Sequence, residues 1–355
     1  MKRPHSPSLR RPPGPLADTV RKKTECTLEN MWRVPRVSRP VSVLPYYQPV
    51  LVAHGQVVAV DLFCGIGGFS QGAAQSGIPV ALAVDFDMIL LKAHRRNHPS
   101  AVHVCMELGP STEQRLLGLM DRFVPAGAHV HLHGSPPCQQ LSSMQLFSNG
   151  GHRDYDKAMS LIRWFVEFVQ RVQPSTWSFE QVNLACVTDY LDRNGVAYKS
   201  INMVNYGIPQ RRKRVIAGTP LLVHNLDKHY TEEFVSIRTL TPPPSGATLI
   251  RLGAGRMPDP AQTVRHADGT YTNDSLPDFF YSTFDRAPPT VCGGNHHIWI
   301  DEQFRTVRQV NNQELLLWQT FPVTYLLPPT AAERMLGIGN ALPPLLVQKL
   351  LEPLA

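Results

Sequence analysis

An α/β fold, built as a doubly wound, mostly parallel sheet with a small irregular insert, is predicted by three observations. Short apolar runs alternate with helix-spaced segments between residues 57 and 218, and a glycine cluster follows the first run. From about residue 220 the texture turns rich in Pro and Gly, and helical periodicity returns only near the C-terminal end. Strands that alternate with helices pair in parallel, because each crossover helix returns the chain to the same edge of the sheet.

The opening stretch "MKRPHSPSLRRPPGPLADTVRKK" has too few apolar residues to offset the entropy of ordering. Residues 1–50 are therefore expected to be a basic, Pro- and Arg-rich disordered tail, either simply solvated or acting as a nuclear-import or DNA-gripping arm. Order is expected to begin near Val57, where "VVAVDLF" reads as a strand ending in the glycine turn "CGIGGFSQG". "VALAVDFD" and "HVHLHG" read as further strands, "YDKAMSLIRWFVEFVQRVQP" as an amphipathic helix, and "TWSFEQV" and "VIAG" as the strands that close this half. The segment around "TPPPSGATLIRLGAGRMPDPAQ" reads as a linker or a small irregular domain. Its Arg251, Arg256, Arg265 and His266 suit a surface that meets a ligand. "RQVNNQELLLWQTF" and "PPLLVQKLL" read as helices that pack back on the first half.

With 355 residues, 43% of them hydrophobic, the chain can bury one large domain with an insert, or two domains. Its 35 Lys and Arg against 28 Asp and Glu give a formal charge of +7, which favours a polyanionic partner. The six cysteines are scattered, with no C-x-x-C pair and no secretory segment in front, which argues for a reducing compartment. We expect an intracellular protein, nuclear if its source is eukaryotic or viral and cytoplasmic if bacterial. No apolar run approaches the ~18 residues that span a bilayer, so no membrane partner is expected.

A strand, a glycine turn and a helix together aim backbone N–H groups at a ligand. Asp85 follows at the end of the next apolar run, where a carboxylate can accept hydrogen bonds from ribose hydroxyls. Ser70 stands where the third glycine of G-x-G-x-x-G belongs, which disfavours a dinucleotide. An adenosine-containing cofactor of another kind remains, and so does a plain tight turn.

Cys138, in "GSPPCQQLS", sits beyond a strand end, where parallel sheets place their chemistry, and two prolines stiffen the backbone that presents its thiol. Zinc deaminases also use a Pro-Cys pair, but position 141 is Leu and no H-x-E occurs in the chain, so deamination is excluded. His129, His131 and His133 share one face of a strand. Adjacent same-face residues rarely close a tetrahedral site, and no metal is expected.

Taken in order, "DLFCGIGGFSQG", "GSPPCQQLS", "FEQV", "YGIPQRRKRVIAG" and "GIGNALPP" resemble the DNA (cytosine-5) methyltransferase family over residues 57–218 and 287–351. The resemblance implies a Rossmann-like S-adenosylmethionine-dependent methyltransferase core formed by residues 51–219 and 288–355, with 220–287 as a target-recognition region. It implies methyl transfer to carbon 5 of a cytosine flipped out of double-stranded DNA, by a monomer. Cys138 would attack carbon 6, Glu180 would serve N3, and Arg212 would face the carbonyl at position 2, with Gln210 and Arg214 completing Q-x-R-x-R. S-adenosylmethionine would be held by Phe63, Gly65, Gly67, Gly68, Asp85, Phe86, Glu107, Pro137 and Asn340. One departure stands out. The family's Glu-Asn-Val is Glu180-Gln181-Val182 here, a longer amide where asparagine braces the cysteine loop. The alternatives are cytosine-5 methylation of RNA, as in the family's tRNA-directed branch, and a catalytically silent DNA-binding relative. The absence of an accessory reader domain favours a stand-alone enzyme of a restriction-modification, viral or simple eukaryotic kind.

Overall fold

The computed structural model describes residues 41–44, 53–137, 155–251, 263–265, 271–273, 280–282, 288, 290–293, 297–301, 303 and 305–355. Among these residues, eight strands form the main sheet: β1 (Ser42–Val43), β2 (Val57–Leu62), β3 (Val80–Asp85), β4 (Val102–Cys105), β5 (His129–Gly134), β6 (Thr176–Val182), β7 (Tyr198–Asn202) and β8 (Lys213–Gly218). Their spatial order is β1-β4-β3-β2-β5-β6-β8-β7. The run from β4 to β6 is parallel, β8 is antiparallel to both of its neighbours, and β1 is antiparallel to β4.

Sequence-adjacent strands build outward from β2 in one direction, and β5 and β6 build in the other. The strand order therefore reverses between β2 and β5, and crossovers that leave in opposite directions open a crevice beyond the strand ends. The glycine turn follows β2, and Ser135-Pro136-Pro137 follows β5. Both segments carrying the expected chemistry thus leave the sheet at this switch point.

The helices of this half are α1 (Gly68–Gln75), α2 (Met88–Asn97), α3 (Glu113–Phe123), α4 (Tyr155–Val172), α5 (Ala185–Arg193) and α6 (Pro220–Asn225). In α4, Ile162, Phe165, Val166 and Val169 follow i, i+3, i+4, i+7 spacing and are buried with Leu116 of α3 on one face of the sheet. On the other face, Phe69 and Ala73 of α1 pack with Leu346, Val347 and Leu350 of the C-terminal region. Coverage on both faces explains why β2 and β3 read as continuous apolar runs rather than alternating ones.

Beyond α6 come α7 (Ile237–Leu240), β9 (Thr248–Arg251), β10 (Thr263–Arg265), β11 (Tyr271–Asn273), β12 (Phe280–Ser282), β13 (His297–Ile300) and β14 (Thr306–Gln309). Strands β12-β9-β13-β14 form an antiparallel sheet, and β10 pairs with β11. The chain ends in α8 (Asn312–Trp318), α9 (Ala331–Asn340) and α10 (Pro344–Leu351).

Several boundaries differ from those expected. Within the expected tail, Ser42 and Val43 pair with Cys105 and Val104, and Leu44 is buried. The second sheet crosses the expected division at 287/288, since β9 on one side of it pairs with β13 on the other. Leu222 and Leu226, placed in the insert by sequence, are buried in the main core. The helix expected across "RQVNNQELLLWQTF" starts only at Asn312: Asn311 accepts from the Glu314 N–H, Glu314 accepts from the Asn311 N–H, and this capping box fixes the start. The preceding residues join β14.

Helix α1 touches α10 so closely that a Cβ on Gly72 would lie 2.4 Å from Val347 Cβ and 2.5 Å from the Pro344 carbonyl oxygen. Alanine at an open helical position would gain about 1 kcal/mol over glycine, but overpacking costs about 1–3 kcal/mol and here meets backbone. We expect Gly72→Ala to lower the urea midpoint; a raised midpoint would show that the two helices can separate cheaply.

Candidate active site

The turn after β2 is held in an unusual backbone path. Phe63 has φ 60°, Gly65 φ 52° and Gly67 φ 101°. A bulky residue persists in the left-handed region only where its surroundings fix it. The Cys64 N–H donates to the Val84 carbonyl, and the Gly67 N–H to the Cys64 carbonyl. Asp85 contributes most: Oδ2 accepts from the Gly65 N–H at 2.8 Å and Oδ1 from the Asp87 N–H at 2.8 Å. Burial raises this carboxyl to about 6, against the opposing effect of those two N–H groups.

The two faces of the turn differ. A Cβ at Gly65 would meet no heavy atom of the described residues within 4 Å, whereas one at Gly67 would lie 2.8 Å from Tyr325 Oη and 2.9 Å from His94 Cδ2. The turn is thus packed tightly behind and open in front, with the first turn of α1 beside the opening. Phe86 follows β3 and is half-buried; Glu107 lies just beyond β4 and is exposed. Asn340 ends α9, directly before Ala341 and Leu342, whose atoms would lie 3.1 and 2.2 Å from a Cβ on Gly68. This cradle has the open glycine face, the buried carboxylate and the helix start that an adenosine-bearing cofactor such as S-adenosylmethionine requires.

Cys138 lies outside the described residues, but the approach to it is described. Gln181, fully buried, donates from Nε2 to the Pro136 carbonyl at 3.1 Å and accepts from the Val182 N–H at 2.8 Å. The departure from the family pattern therefore keeps its contact with the cysteine loop. A second brace runs through the strand histidines. His131 bonds Thr176 and Ser178, and His133 bonds Ser178 and Ser135, all at 2.8–2.9 Å. Phe69 stacks on His133 with centroids 4.0 Å apart. Burial lowers His131 to about 3 and holds His133 well below the ordinary imidazole range, so both are neutral and their ring nitrogens serve hydroxyls. Among the described residues no group of side chains is arranged to hold a metal ion.

Near the end of β6, Glu180 is buried with two guanidinium groups close to the same carboxylate oxygen. Arg214 Nε lies 2.9 Å and Arg212 Nη2 3.9 Å from Glu180 Oε1. Antiparallel pairing of β6 with β8 sets Val182 opposite Arg214 and brings the arginines to the carboxylate. Arg212 Nη1 also donates to the carbonyls of Val291 and Gly339. Gln210 joins the same region: its Nε2 donates to the Trp318 carbonyl and to Gln319 Oε1, and its Oε1 accepts from the Val291 N–H. Gln319 continues to the Ile338 carbonyl. Sequence reasoning did not single out Gln319 or Tyr325. The available signal was a lone amide at the end of an apolar helix and a lone phenol in the apolar segment after it.

Residues 57–219 match the family model described as C-5 cytosine-specific DNA methylase. Over these residues the chain is similar to the DNA (cytosine-5) methyltransferase family. The Type II methyltransferase M.XorII of Xanthomonas oryzae pv. oryzae is 28% identical over 225 residues, 57% of this chain and 46% of that protein. The chain thus spans about half the length of this curated relative. The Type II methyltransferase M1.HphI of Haemophilus parahaemolyticus is 25% identical over 328 residues, covering 82% of this chain and 85% of its own length. In fold, a solved structure of an engineered Spodoptera frugiperda DNMT2 superposes with a TM-score of 0.52 over 84% of this chain and 99% of that one, at 16% identity. Among the described residues, no helix is long and apolar enough to cross a membrane.

Gln181→Ala removes both amide hydrogen bonds at a buried site. We expect a loss of about 1–3 kcal/mol in unfolding free energy, with Gln181→Asn losing less because only the reach to Pro136 is shortened. Equal urea midpoints for all three proteins would mean that the amide does not hold the loop.

Proposed function

We infer that this chain transfers a methyl group from S-adenosylmethionine to carbon 5 of a cytosine in double-stranded DNA, through a covalent adduct between Cys138 and carbon 6. The observation that carries this reading is the Glu180–Arg212–Arg214 cluster at the end of β6, one residue from the Gln181 amide that grips Pro136. An acid, two fixed cations and the base of a cysteine loop thereby meet at one edge of the switch-point crevice, with the open glycine turn after β2, next to β5, supporting a cofactor site there.

The chemistry follows from the ring. Carbon 5 of cytosine is a weak nucleophile. In this reading the Cys138 thiolate forms a bond to carbon 6, the carbon 5–carbon 6 π pair shifts between carbons 4 and 5, and the displaced pair at N3 takes a proton from the Glu180 carboxyl. Arg212, held by two backbone carbonyls, offsets the charge that gathers on the carbonyl at position 2. Carbon 5 is then enamine-like. S-adenosylmethionine, when bound, supplies a methyl on a sulfonium, an electrophile that such a carbon can attack. Loss of the carbon 5 proton, elimination of the Cys138 sulfur and return of the N3 proton to Glu180 restore the ring. Stacked bases in a duplex cannot reach a side chain of the crevice, so the target base would be flipped out. Phe63, Gly65, Gly67, Gly68, Asp85, Phe86, Glu107, Pro137 and Asn340 are proposed to hold the cofactor. The second sheet and the strands around it are proposed to meet the flanking bases.

The deciding measurement is transfer of labelled methyl to mixed-sequence duplex DNA, with tRNA in parallel. We expect label in DNA and none with Cys138→Ser; label confined to tRNA, or none with DNA still bound, would overturn the reading. Asp85 adds a pH signature. Only the ionised carboxylate accepts from two N–H groups and from ribose hydroxyls together, so affinity for S-adenosylmethionine should rise with pH through about 6 and then level off. Calorimetric titration from pH 5 to 8 checks this, and Asp85→Asn should show weaker binding without that rise.

A further inference from the structure

We propose that Tyr325 is a positioning residue for the cofactor turn, holding its backbone from behind so that the open face is preorganised for S-adenosylmethionine. This rests on the cofactor reading above and deepens it.

Tyr325 lies between α8 and α9, far from the turn in sequence. Its hydroxyl donates to the Ile66 carbonyl, and the Gly67 carbonyl lies 3.4 Å away. It also lies 3.1 Å from His98 Nε2. A phenol gives one proton, so with that proton on Ile66 it accepts from His98, which fixes the Nε2–H tautomer of that ring. Burial lowers His98 to about 2, so the ring is neutral and can play this part. The ring of Tyr325 packs against Phe321 with centroids 4.6 Å apart, and only 6% of the residue is exposed.

The next residue is fastened independently. Asn97, at the end of α2, donates from Nδ2 to the Leu326 carbonyl and accepts at Oδ1 from the Leu326 N–H, both at 2.9 Å. A side-chain amide thus pairs with backbone as a neighbouring strand would, and it sets the height of Tyr325 above the turn. Beneath Gly67, His94 Nε2 lies 3.0 Å from Ser70 Oγ, which donates to Asp61 Oδ2 at 2.6 Å. His94 Nδ1 lies 2.8 Å from His103 Nε2. Because Ser70 gives its proton to Asp61, every donor in this chain points toward that carboxylate: His103 to His94, His94 to Ser70, Ser70 to Asp61. The turn is therefore pinned at Ile66 by the phenol and at Ser70 by the histidine chain, while Asp85 holds Gly65. Three anchors fix a segment of six residues whose left-handed conformations would otherwise compete with relaxed ones. Ligand affinity that depends on a preset backbone falls when an anchor is removed, because binding must then order the segment.

The test compares wild type, Tyr325→Phe and Asn97→Ala by equilibrium binding of S-adenosylmethionine, thermal unfolding without ligand, and methyl transfer at saturating DNA. Tyr325→Phe keeps the ring and should weaken binding and raise KM for S-adenosylmethionine about tenfold, with kcat held within about twofold. Asn97→Ala, which leaves the phenol in place, should shift affinity the same way by about threefold. Unchanged affinity in both variants would overturn the proposal. So would a fall in kcat that matches the loss of affinity alongside a lower melting temperature, since that marks general loosening. Wild-type protein that fails to bind S-adenosylmethionine would instead refute the cofactor reading on which the proposal stands.

Discussion

Gly68 and Gly72 on α1 admit the backbone of Leu342 and Pro344 to distances that one methyl group would block, while Gly337 admits the Ile66 side chain and Gly339 the backbone of Cys292. These approaches seat the end of the chain on its beginning. Without them α9 and α10 would stand off from the glycine turn. The Gly339 carbonyl would then leave Arg212, and Gln319 would lose its place between Gln210 and the end of α9. The candidate site is therefore assembled from both ends of the core, with the second sheet inserted between them. Its cluster of Ile237, Leu249, Trp299, Leu315 and Trp318 reaches Ile66 of the turn itself, so the second sheet shares packing with the cofactor side.

Burial decides how charge behaves around the crevice. Asp61 is raised to about 7 and Asp85 to about 6, both chiefly by desolvation. Each is retained by giving its oxygens to donors that cannot leave: Ser70 for the first, the Gly65 and Asp87 amides for the second. Glu180 is managed differently, by cations rather than neutral donors. A buried carboxylate with two guanidinium groups close to one of its oxygens is fixed in position by the cost of separating the charges. The same chain thus builds a neutral-donor environment on the cofactor side and an ionic one on the base side.

Much of this was legible because the relevant signals are local. A continuous apolar run before glycines gives β2 and the turn, and i, i+3, i+4, i+7 spacing gives α4. Strands β4 and β7 were harder to read: "VHVC" is four residues long, and "YKSIN" is an edge strand with polar positions, so neither shows a clean period. Ser42 and Val43 gain their strand only through pairing with β4, a partner no local pattern announces. Glu180, Arg212 and Arg214 stood out as motif residues, but their mutual approach depends on the antiparallel register of β8. The partners of Gln181, and the reach of Tyr325 to Ile66 across most of the chain, are tertiary facts with no sequence period to betray them.

The buried histidines have a consequence for the molecule in acid. His94, His98, His103, His131 and His133 are all held neutral well below the ordinary imidazole range, by loss of solvent before any other cause. On unfolding below about pH 6.5 each would take up a proton that the folded form refuses, so falling pH pulls the chain toward the unfolded state. Asp61 and Asp85 act in the opposite sense between about pH 4 and 6, because their protons are held in the folded form and released on unfolding. The histidine uptakes outnumber the two carboxyl releases, so over this range acid acts against the folded form. The imidazoles that brace the interior near neutrality are thus the groups through which acid loosens it.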